Sequence, residues 1–487
     1  MIRKIENSPL YSIANPKSIA IFGASNKYTS MGTGILSSIM HIGYEGKIYP
    51  VHPSEKTVLG HEAYESVLDL PEVPDLAIMV LPTGVVPEVL ESCGQKGIKH
   101  AIVVSGGFRE VGENGAELEA KLRRIASKYG IRFLGPNCIG AVNIHYKFNA
   151  TFLPCEYPPG FIGMASQSGS FITQMFPYLG RYGLGFSTGF SVGNEADIDI
   201  VDCMEYLAAC PDTKVISLYI ESIRRGGEFV EAARKIVPQK PIVAYYAGGT
   251  EAGRKAGLSH TGALAGEDPV YNGIFRQSGV IRAWSIEELF DICWCLGTCP
   301  PPKGNRVIVQ THSGGPGTVA ADACERCGMS LPGLSGETKQ KLTEYVPHTG
   351  SVKNPVDLTF TRRNLDYFVD IPEILKQDEN ADMLLVYLMM PVRTIMMVLD
   401  NMGVPEDELE AETEKYVKEQ AAHLSDMMLK SEKPVIGFSY YSGESPFIKS
   451  LYDAGAPVLP GPNRAARAMG AMVEYRELRD KILAESG

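Results

Sequence analysis

Short apolar runs rich in β-branched residues alternate with longer helix-like segments along the whole chain. The first five runs are SIAIFG, GKIYPV, DLAIMVLP, HAIVVSGG and RFLGP, and stretches such as GAELEAKLRRIASKYG lie between them. Strands that are joined by helical crossovers lie parallel in one sheet. The alternation therefore predicts an α/β chain with mainly parallel, doubly wound sheets.

Two further series of the same kind follow. The second begins at FIGMAS, after the proline-rich join FLPCEYPPG, and closes around SIEELFDICWCLG. The third begins at NRVIVQTHSGG, after TCPPPKG, where three successive prolines can continue neither a helix nor a strand ladder. We therefore expect three Rossmann-like or flavodoxin-like domains, at residues 1–145, 150–298 and 304–487.

Charge and hydropathy exclude several classes of protein. The chain carries 46 Lys and Arg against 57 Asp and Glu, a net charge of −11, so its field repels nucleic-acid backbones and anionic membranes. The N-terminus lacks the apolar core of a secretory signal, and the longest apolar stretch is interrupted by Pro391 and Arg393. We expect a cytoplasmic protein that binds neither nucleic acid nor membrane.

The ten cysteines do not form the disulfide framework of a small secreted domain. Two clusters have the residue types of a zinc site: CWCLGTC at residues 293–299 and CERC at residues 324–327. A structural zinc usually takes two pairs of ligands on turns, whereas both clusters lie in apolar, helix-like segments. We expect buried thiols and no metal site.

The segment IAIFGASNKYTSMGTG contains a strand, the turn Gly23-Ala24-Ser25 and a helix, which lets backbone N–H groups face a phosphate. The complete G-x-G-x-x-G pattern is absent. The second strand ends in YPVHPSEK, which offers the cation Lys56 where an NAD site has a ribose-binding acid. A cation there suits the 3′-phosphate of coenzyme A. The alternative is a Rossmann-like layer without a ligand.

The loop GPNCIG follows the fifth strand, and its small residues permit close approach of the backbone. Asn137, Cys138 and Gly140 are therefore candidates to surround a reacting carbonyl group. Cys138 has no evident base or cation nearby in the sequence, which favours a packing cysteine over a nucleophile.

The segment FIGMASQSGSFITQMF places Ser166, Gln167, Ser168 and Gly169 between a strand and an apolar helix. Hydroxyl and free N–H groups at the start of a helix form a binding site for an anion. Glu221 ends another strand, where a carboxylate could accept the Nδ1–H of an imidazole. A salt bridge from Glu221 to Arg224 or Arg225 is the alternative.

His260 lies in GLSHTGALAG, among residues with almost no side-chain bulk. An exposed imidazole with small neighbours is suited to accept a phosphoryl group and to pass it on. A solvent-facing loop histidine is the alternative.

Together these residues resemble the α subunit of ADP-forming acyl-CoA synthetases, relatives of succinyl-CoA synthetase. The resemblance covers nearly the whole chain, and SHTGALAG is its most specific element. SQSG, GPNCIG and YPVHP agree with the family in order and spacing, as do NPVDL at residues 354–358, GGPG at residues 314–317 and the closing RAARAMGAMVEYRE.

The resemblance implies a reversible reaction in which acyl-CoA, ADP and phosphate give a free acid, CoA and ATP. It implies an acyl phosphate intermediate and a phosphohistidine at His260, supported by Glu221. The resemblance leaves the identity of the acid open, since acetate and larger branched or aromatic acids are all compatible with it. The expected phosphate-binding residues are Ser166, Gln167, Ser168 and Gly169. The expected CoA-binding residues are Gly23, Ala24, Ser25, Lys56, Ser105, Asn137, Cys138 and Gly140.

The chain departs from the family pattern in two respects. Tyr245, Tyr246 and Gly249 replace the polar or cationic residues of a K-S-G-R run, for which Arg254 and Lys255 are possible substitutes. The sequence also contains no ATP-grasp segment with its Lys and acidic Mg²⁺ ligands. ADP, ATP and Mg²⁺ are therefore expected on a separate ATP-grasp β subunit, in a hetero-oligomer.

Two rival functions can be tested. GFSTGFSVG contains two overlapping G-x-S-x-G matches, at Ser187 and Ser191, which raise the possibility of a serine esterase or thioesterase. The alternating apolar residues of that segment indicate a continuing strand, whereas a nucleophile elbow needs a sharp turn at the serine. The other rival is a non-catalytic CoA-binding protein.

Overall fold

The computed structural model describes residues 4–253, 266–359 and 366–486. These residues divide into two compact units: unit 1 is Met1–Tyr178 with Gly185–Trp284, and unit 2 is Leu179–Leu184 with Ser285–Gly487. Each unit is built from α-helices and mainly parallel sheets, so the predicted α/β class is confirmed.

Unit 1 begins with a five-stranded parallel sheet. The strands of this part of the chain are β1 (Ser18–Phe22), β2 (Lys47–Val51), β3 (Thr57–Val58), β4 (His61–Glu62), β5 (Leu76–Met79), β6 (His100–Val103) and β7 (Arg132–Leu134). The sheet order is β2-β1-β5-β6-β7, and β3 and β4 form a separate hairpin. The α-helices are Tyr11–Ala14, Met31–His41, Val86–Lys96 and Glu113–Tyr129, and single 3-10 turns are formed by Ile5–Asn7, Val67–Asp69, Thr83–Val85 and Arg109–Val111.

Local sequence explains these elements. All five residues of β1 are buried, as expected of a strand that is covered on both faces. The helix Met31–His41 begins after Ser30, whose hydroxyl accepts the N–H of Thr33. The helix Val86–Lys96 ends at Gly97 in the left-handed conformation. The core between sheet and helices contains Phe22, Met79, Leu90, Val103, Leu122 and Phe133.

A second sheet of unit 1 has seven strands in the order β14-β13-β12-β10-β11-β8-β9. These are β8 (Ala141–Asn143), β9 (Phe148–Asn149), β10 (Ile162–Ser166), β11 (Phe186–Ser191), β12 (Val215–Ile220), β13 (Ile242–Tyr246) and β14 (Ile281–Ala283). The helices of this part are Phe171–Gly180, Ile200–Ala209, Gly226–Ile236 and Asp268–Ser278.

The chain passes from the first sheet to the second within the GPNCIG loop. β8 follows that loop directly and pairs antiparallel with β11, although sequence analysis assigns it to the first domain. β8 and β9 are only three and two residues long, so they leave no periodic pattern in the sequence. The loop after β7 is thus fixed by both sheets.

Unit 2 contains a five-stranded parallel sheet in the order β16-β15-β17-β18-β19. Its strands are β15 (Val307–Thr311), β16 (Val356–Asp357), β17 (Met383–Tyr387), β18 (Val435–Ser439) and β19 (Val458–Pro460). The α-helices are Ile286–Thr298, Gly314–Arg326, Gly336–Leu342, Ile371–Gln377, Val392–Asn401, Leu409–Leu429, Pro446–Asp453 and Pro462–Ser486, and Asp366–Asp370 forms a π-helical turn.

The helix Ile286–Thr298, which sequence analysis places at the end of the second domain, belongs to unit 2. Its Asp291 accepts two hydrogen bonds of 2.7 Å from Arg464 of the last helix. The helix ends before the proline run of TCPPPKG, so the predicted linker separates it from β15.

No helix among the described residues combines the length and the apolar character that crossing a bilayer requires. Nor do those residues contain a group of three or more His, Cys, Asp and Glu side chains that could hold a metal ion.

Candidate active site

A cavity of about 650 Å³ in unit 1 is lined by residues that follow the carboxyl ends of strands from both sheets. Ligands of parallel α/β sheets bind at this edge, where loops meet helix starts. The lining includes loops after β1, β5, β6 and β7 of the first sheet and after β10, β11 and β12 of the second. Eight of the residues predicted from the sequence line it: Gly23, Ser105, Asn137, Cys138, Gln167, Ser168, Gly169 and Glu221.

The turn at Gly23 is held so tightly that only glycine fits. Its φ is +86°, and a β-carbon there would lie 1.9 Å from the carbonyl oxygen of Val80. A β-carbon at Gly32, in the first turn of the following helix, would lie 2.3 Å from the carbonyl oxygen of Gly23. The helix start therefore packs directly on the turn that borders the cavity.

The other predicted CoA-binding residues do not line the cavity. The backbone N–H of Ser25 donates to Thr33 Oγ1 at 3.0 Å, which stabilises the turn that includes the buried Ala24. The side chain of Lys56 is 88% exposed and its Nζ lies 3.7 Å from Glu65. Gly140 packs against the chain itself, since a β-carbon there would lie 2.1 Å from the carbonyl oxygen of Ala150.

Cys138 is a buried thiol on the cavity wall. Its Sγ donates to the carbonyl oxygen of Val103 at 3.4 Å, and burial raises its pKa to about 12. A thiol that stays protonated at neutral pH is a poor nucleophile. The surroundings therefore favour the packing interpretation of this residue.

The loop after β10 combines two different roles. The hydroxyl of Ser166 is buried and donates to the carbonyl oxygen of Ser168 at 2.9 Å, so it stabilises the loop from within. Ser168 and Gly169 line the cavity just before the helix Phe171–Gly180, whose first N–H groups have no intrahelical partner. Backbone donors and a helix dipole make this the part of the cavity best suited to an anion.

Gln167 uses its side-chain amide to hold the loop that carries Glu221. Its Oε1 accepts the backbone N–H groups of Glu221 at 2.5 Å and Ser222 at 2.9 Å, and its Nε2 donates to the carbonyl oxygen of Ser222 at 2.7 Å. Three hydrogen bonds to two successive residues fix the backbone of Glu221 beside the cavity.

The two arginines that sequence analysis considers as partners of Glu221 form ion pairs with other carboxylates. Arg225 pairs with Asp199, and Arg224 Nε lies 3.7 Å from Glu195 Oε2. Glu195 is itself buried in a left-handed conformation, with φ +51°, and burial raises its pKa to about 8.

His260, Arg254 and Lys255 lie outside the described residues. The tyrosines that replace the family's cationic run take part in aromatic packing instead. Tyr246 stacks on Tyr271 with ring centroids 3.7 Å apart and donates to the carbonyl oxygen of Gly266 at 2.8 Å. Tyr245 lies beside Tyr219, with centroids 5.6 Å apart. A β-carbon at Gly249 would lie 2.2 Å from Asp268 Oδ1, so a larger residue there would displace the Asp268 carboxylate.

Gly193 and Asn194, which were not predicted from the sequence, also line the cavity after β11. The available signal was the polar run GNEAD directly after a predicted strand end, the usual place for ligand-binding residues. The serines of the two G-x-S-x-G matches lie in the strand before it.

Those serines are not arranged as nucleophiles. Ser187 and Ser191 are fully buried within strand β11, which continues through both positions. The hydroxyl of Ser187 lies 2.7 Å from Thr213 Oγ1, and Ser191 Oγ accepts the N–H of Ile139 at 3.2 Å. A nucleophile elbow requires an exposed serine at a sharp strand-to-helix turn.

Comparison with known proteins agrees with this geometry. Residues 17–144 match the model of a CoA binding domain, and residues 159–296 match that of the succinyl-CoA ligase like flavodoxin domain. The α subunit of acetate–CoA ligase (ADP-forming) I from Pyrococcus furiosus is 37% identical over 477 residues, which cover 97% of this chain and 99% of the relative. The α subunit of isoform II from the same organism is 41% identical over 378 residues, 77% of this chain and 82% of the relative.

The structure resembles the dinucleotide forming acetyl-coenzyme A synthetase 1 of Ca. Korarchaeum cryptofilum, solved in complex with phosphate and ADP. The TM-score is 0.87 at 32% sequence identity, and the match covers 98% of this chain and 99% of that one. The chain therefore belongs to the family of ADP-forming acyl-CoA synthetases, whose α subunits it matches along nearly its whole length.

Proposed function

We propose that this chain is the α subunit of an ADP-forming acyl-CoA synthetase, which reversibly converts acyl-CoA, phosphate and ADP into a carboxylic acid, CoA and ATP. The observation that carries the proposal is the cavity at which the loops of Asn137, Ser168 and Glu221 meet. The loop of Asn137 is suited to a thioester, the loop of Ser168 to an anion, and the loop of Glu221 to an imidazole.

The first step takes place between the two sheets of unit 1. Acyl-CoA binds along the Gly23 turn with its thioester beside Asn137, and inorganic phosphate binds the N–H groups around Ser168 and Gly169. A phosphate oxygen attacks the thioester carbon, the C–S bond breaks, and CoA leaves as a thiolate that takes up a proton. Acyl phosphate is the product of this step.

The second step transfers the phosphoryl group to the protein. His260 Nε2 attacks the phosphorus of the acyl phosphate, the P–O bond to the acyl group breaks, and the carboxylic acid leaves as its anion. Glu221 accepts the Nδ1–H of the imidazole, which keeps Nε2 free and stabilises the charge that develops on the ring. Hydrogen bonds from the backbone N–H groups of Glu221 and Ser222 to Gln167 hold the backbone that carries this carboxylate.

The phosphoryl group then passes to ADP on a partner chain. We propose an ATP-grasp β subunit as that partner, in a hetero-oligomer, because the similar ligases from Pyrococcus furiosus are named as α subunits. Mg²⁺, when bound there, neutralises the charge on the transferred phosphoryl group. A cytoplasmic location is part of the proposal, supported by ten cysteines that are all free of disulfide bonds.

Phosphorylation of His260 tests the proposal directly. The purified chain is incubated with acetyl-CoA and radiolabelled phosphate in the absence of ADP, and we expect an acid-labile, base-stable label. The label should be lost in His260→Ala and retained in His41→Ala, which removes an exposed histidine on the helix Met31–His41. Undiminished labelling of His260→Ala would refute the assignment.

CoA binding separates the proposal from its non-catalytic rival. A chain that binds CoA in calorimetry but takes up no label with acetyl-CoA or larger acyl-CoA thioesters would be a CoA-binding protein without this chemistry.

A further inference from the structure

A chain of side-chain hydrogen bonds runs from the cavity wall into the interior of unit 1. Asn137 Nδ2 donates to Asn194 Oδ1 at 3.3 Å. Asn194 Nδ2 in turn donates to Glu110 Oε2 at 2.6 Å and to Glu119 Oε2 at 3.0 Å. Asn137 and Asn194 both line the cavity, whereas Glu119 is buried behind them.

The carboxyl group of Glu110 is anchored by backbone N–H groups. Glu110 Oε1 accepts the backbone N–H groups of Gly107 at 2.6 Å and Phe108 at 3.2 Å. Burial alone would raise the pKa of Glu110. Hydrogen bonds from Asn194 and these N–H groups outweigh burial and hold that pKa below its ordinary value. Glu110 is therefore a carboxylate at neutral pH and can only accept hydrogen bonds.

This anchoring decides the orientation of two amides. Asn194 is 2% exposed, and its NH₂ group must face the carboxylate because an amide oxygen there would meet another acceptor. Its Oδ1 then faces Asn137 and can only accept, so the amide nitrogen of Asn137 is drawn to it. Asn137 Oδ1 faces Gly106. A β-carbon built on Gly106 would lie only 3.1 Å from this oxygen.

The backbone leaves these side chains little freedom. Asn137 has φ +57° and its N–H donates to the carbonyl oxygen of Ser105 at 2.8 Å. The N–H of Asn194 donates to the carbonyl oxygen of Pro136 at 2.9 Å, so the loops after β7 and β11 are joined. With both loops fixed, the orientation of the Asn137 amide depends on Asn194.

We propose that Asn194 is a positioning residue for the thioester step: it fixes the Asn137 amide so that the second N–H of that amide donates to the acyl carbonyl oxygen. Negative charge develops on this oxygen when phosphate attacks, and a donor already aimed at it lowers the barrier. The inference rests on the proposed function, because it assigns a role within the same cavity.

The test compares two routes to the same phosphohistidine in the complex with the nucleotide-binding partner. Acetyl-CoA with labelled phosphate reaches His260 through the thioester step, whereas γ-labelled ATP reaches it from the nucleotide side. In Asn194→Ala we expect the first rate to fall roughly 10- to 100-fold, since a donor is misaligned rather than removed. The second rate and the affinity for CoA should stay within about twofold, because neither depends on this donor.

Asn149→Ala is the matched control. Asn149 is fully buried in unit 1 and donates to the carbonyl oxygen of Leu153 at 2.9 Å, but it does not line the cavity. This variant loses a comparable buried amide, so it reports general destabilisation, and its two labelling rates should change by the same factor.

A pair of substitutions that moves the negative charge from position 110 to position 194 tests the direction of the hydrogen bond. Asn194→Asp keeps the oxygen that faces Asn137 but places a carboxylate against Glu110 and Glu119, so we expect a larger loss than in Asn194→Ala. Burial raises the pKa of Glu119, so this second carboxyl group can take up a proton and donate to the new carboxylate. Adding Glu110→Gln supplies an amide whose oxygen still accepts from Gly107 and Phe108 and whose NH₂ donates to the new carboxylate. The double variant should regain at least part of the thioester-side rate.

Three results would each overturn the inference. The first is an equal fall of both labelling rates in folded Asn194→Ala, the second is an unchanged thioester-side rate in that variant, and the third is no recovery of that rate in the double variant. Failure of the wild-type complex to label His260 by either route would overturn the proposed function instead.

Discussion

Gln167 directs three hydrogen bonds of its side-chain amide to the backbone of Glu221 and Ser222. Removing that amide in Gln167→Ala frees the loop of Glu221, which then no longer orients the imidazole. Because small displacements of catalytic groups cost up to about 100-fold, we expect labelling of His260 to slow by about that factor, with CoA binding unchanged. Gln174→Ala, on the exposed side of the helix Phe171–Gly180, serves as control and should label normally.

Cys138 gives a second prediction at the scale of single residues. With its pKa raised to about 12 by burial, the thiol remains protonated at pH 8 and should resist iodoacetamide, which reacts with the thiolate. Peptide mass spectrometry should find Cys138 unmodified in the native chain and alkylated after denaturation in urea. Cys138→Ala should retain His260 labelling, and a loss of labelling in a folded variant would revive the nucleophile interpretation.

At the scale of one element, the helix Met31–His41 contains two glycines whose replacement by alanine should change stability in opposite directions. Gly32→Ala would place its β-carbon 2.3 Å from the carbonyl oxygen of Gly23, so we expect a loss of about 2 kcal/mol or more in the free energy of unfolding. Gly34→Ala meets its first neighbour at 3.6 Å and should raise stability by about 0.5–1 kcal/mol, since alanine favours the helix. Urea unfolding of the two variants distinguishes them, and equal effects would contradict the packing described.

The elements also show what periodicity can and cannot detect. Every strand quoted in the sequence analysis is a strand of the structure, because each is a mainly apolar run that glycine, proline or polar residues bound. β8 and β9 were missed because such short strands depend on their partners: β8 pairs with β11, and β9 pairs with β8.

At the scale of the whole molecule, ion pairs between distant segments join parts of the chain that the sequence separates. Asp291 and Arg464 are 173 positions apart, and the Asp291 side chain is only 7% exposed. Arg464→Ala leaves a buried carboxylate without its bidentate partner, which should lower the stability of unit 2 by about 3–5 kcal/mol. Urea unfolding checks this, with Arg326→Ala as control.

Arg326 pairs with Asp322 one turn away on an exposed helix surface, and loss of such a pair should cost less than about 1 kcal/mol. If both arginine variants lose an equally small free energy of unfolding, the helix Ile286–Thr298 is not anchored to the last helix as described.

Of the candidate site, the sequence predicted the residues at strand ends and missed those whose role depends on a partner far along the chain. Asn137, Ser168 and Glu221 follow strands and could be found by that rule. Asn194 and the anchoring function of Gln167 could not be found, because each depends on contacts across more than 50 positions.

The sequence by itself determined the parallel α/β class, the family and the set of chemical groups, because periodicity, glycine turns and short motifs are local properties of the chain. The tertiary structure decided which of those groups share one cavity, which carboxylates accept from which amides, and that Lys56, Gly140 and the Ser166 hydroxyl do not line that cavity. Hydrogen bonds and burial between distant residues set these features, and they exist only after two sheets and their loops have packed together.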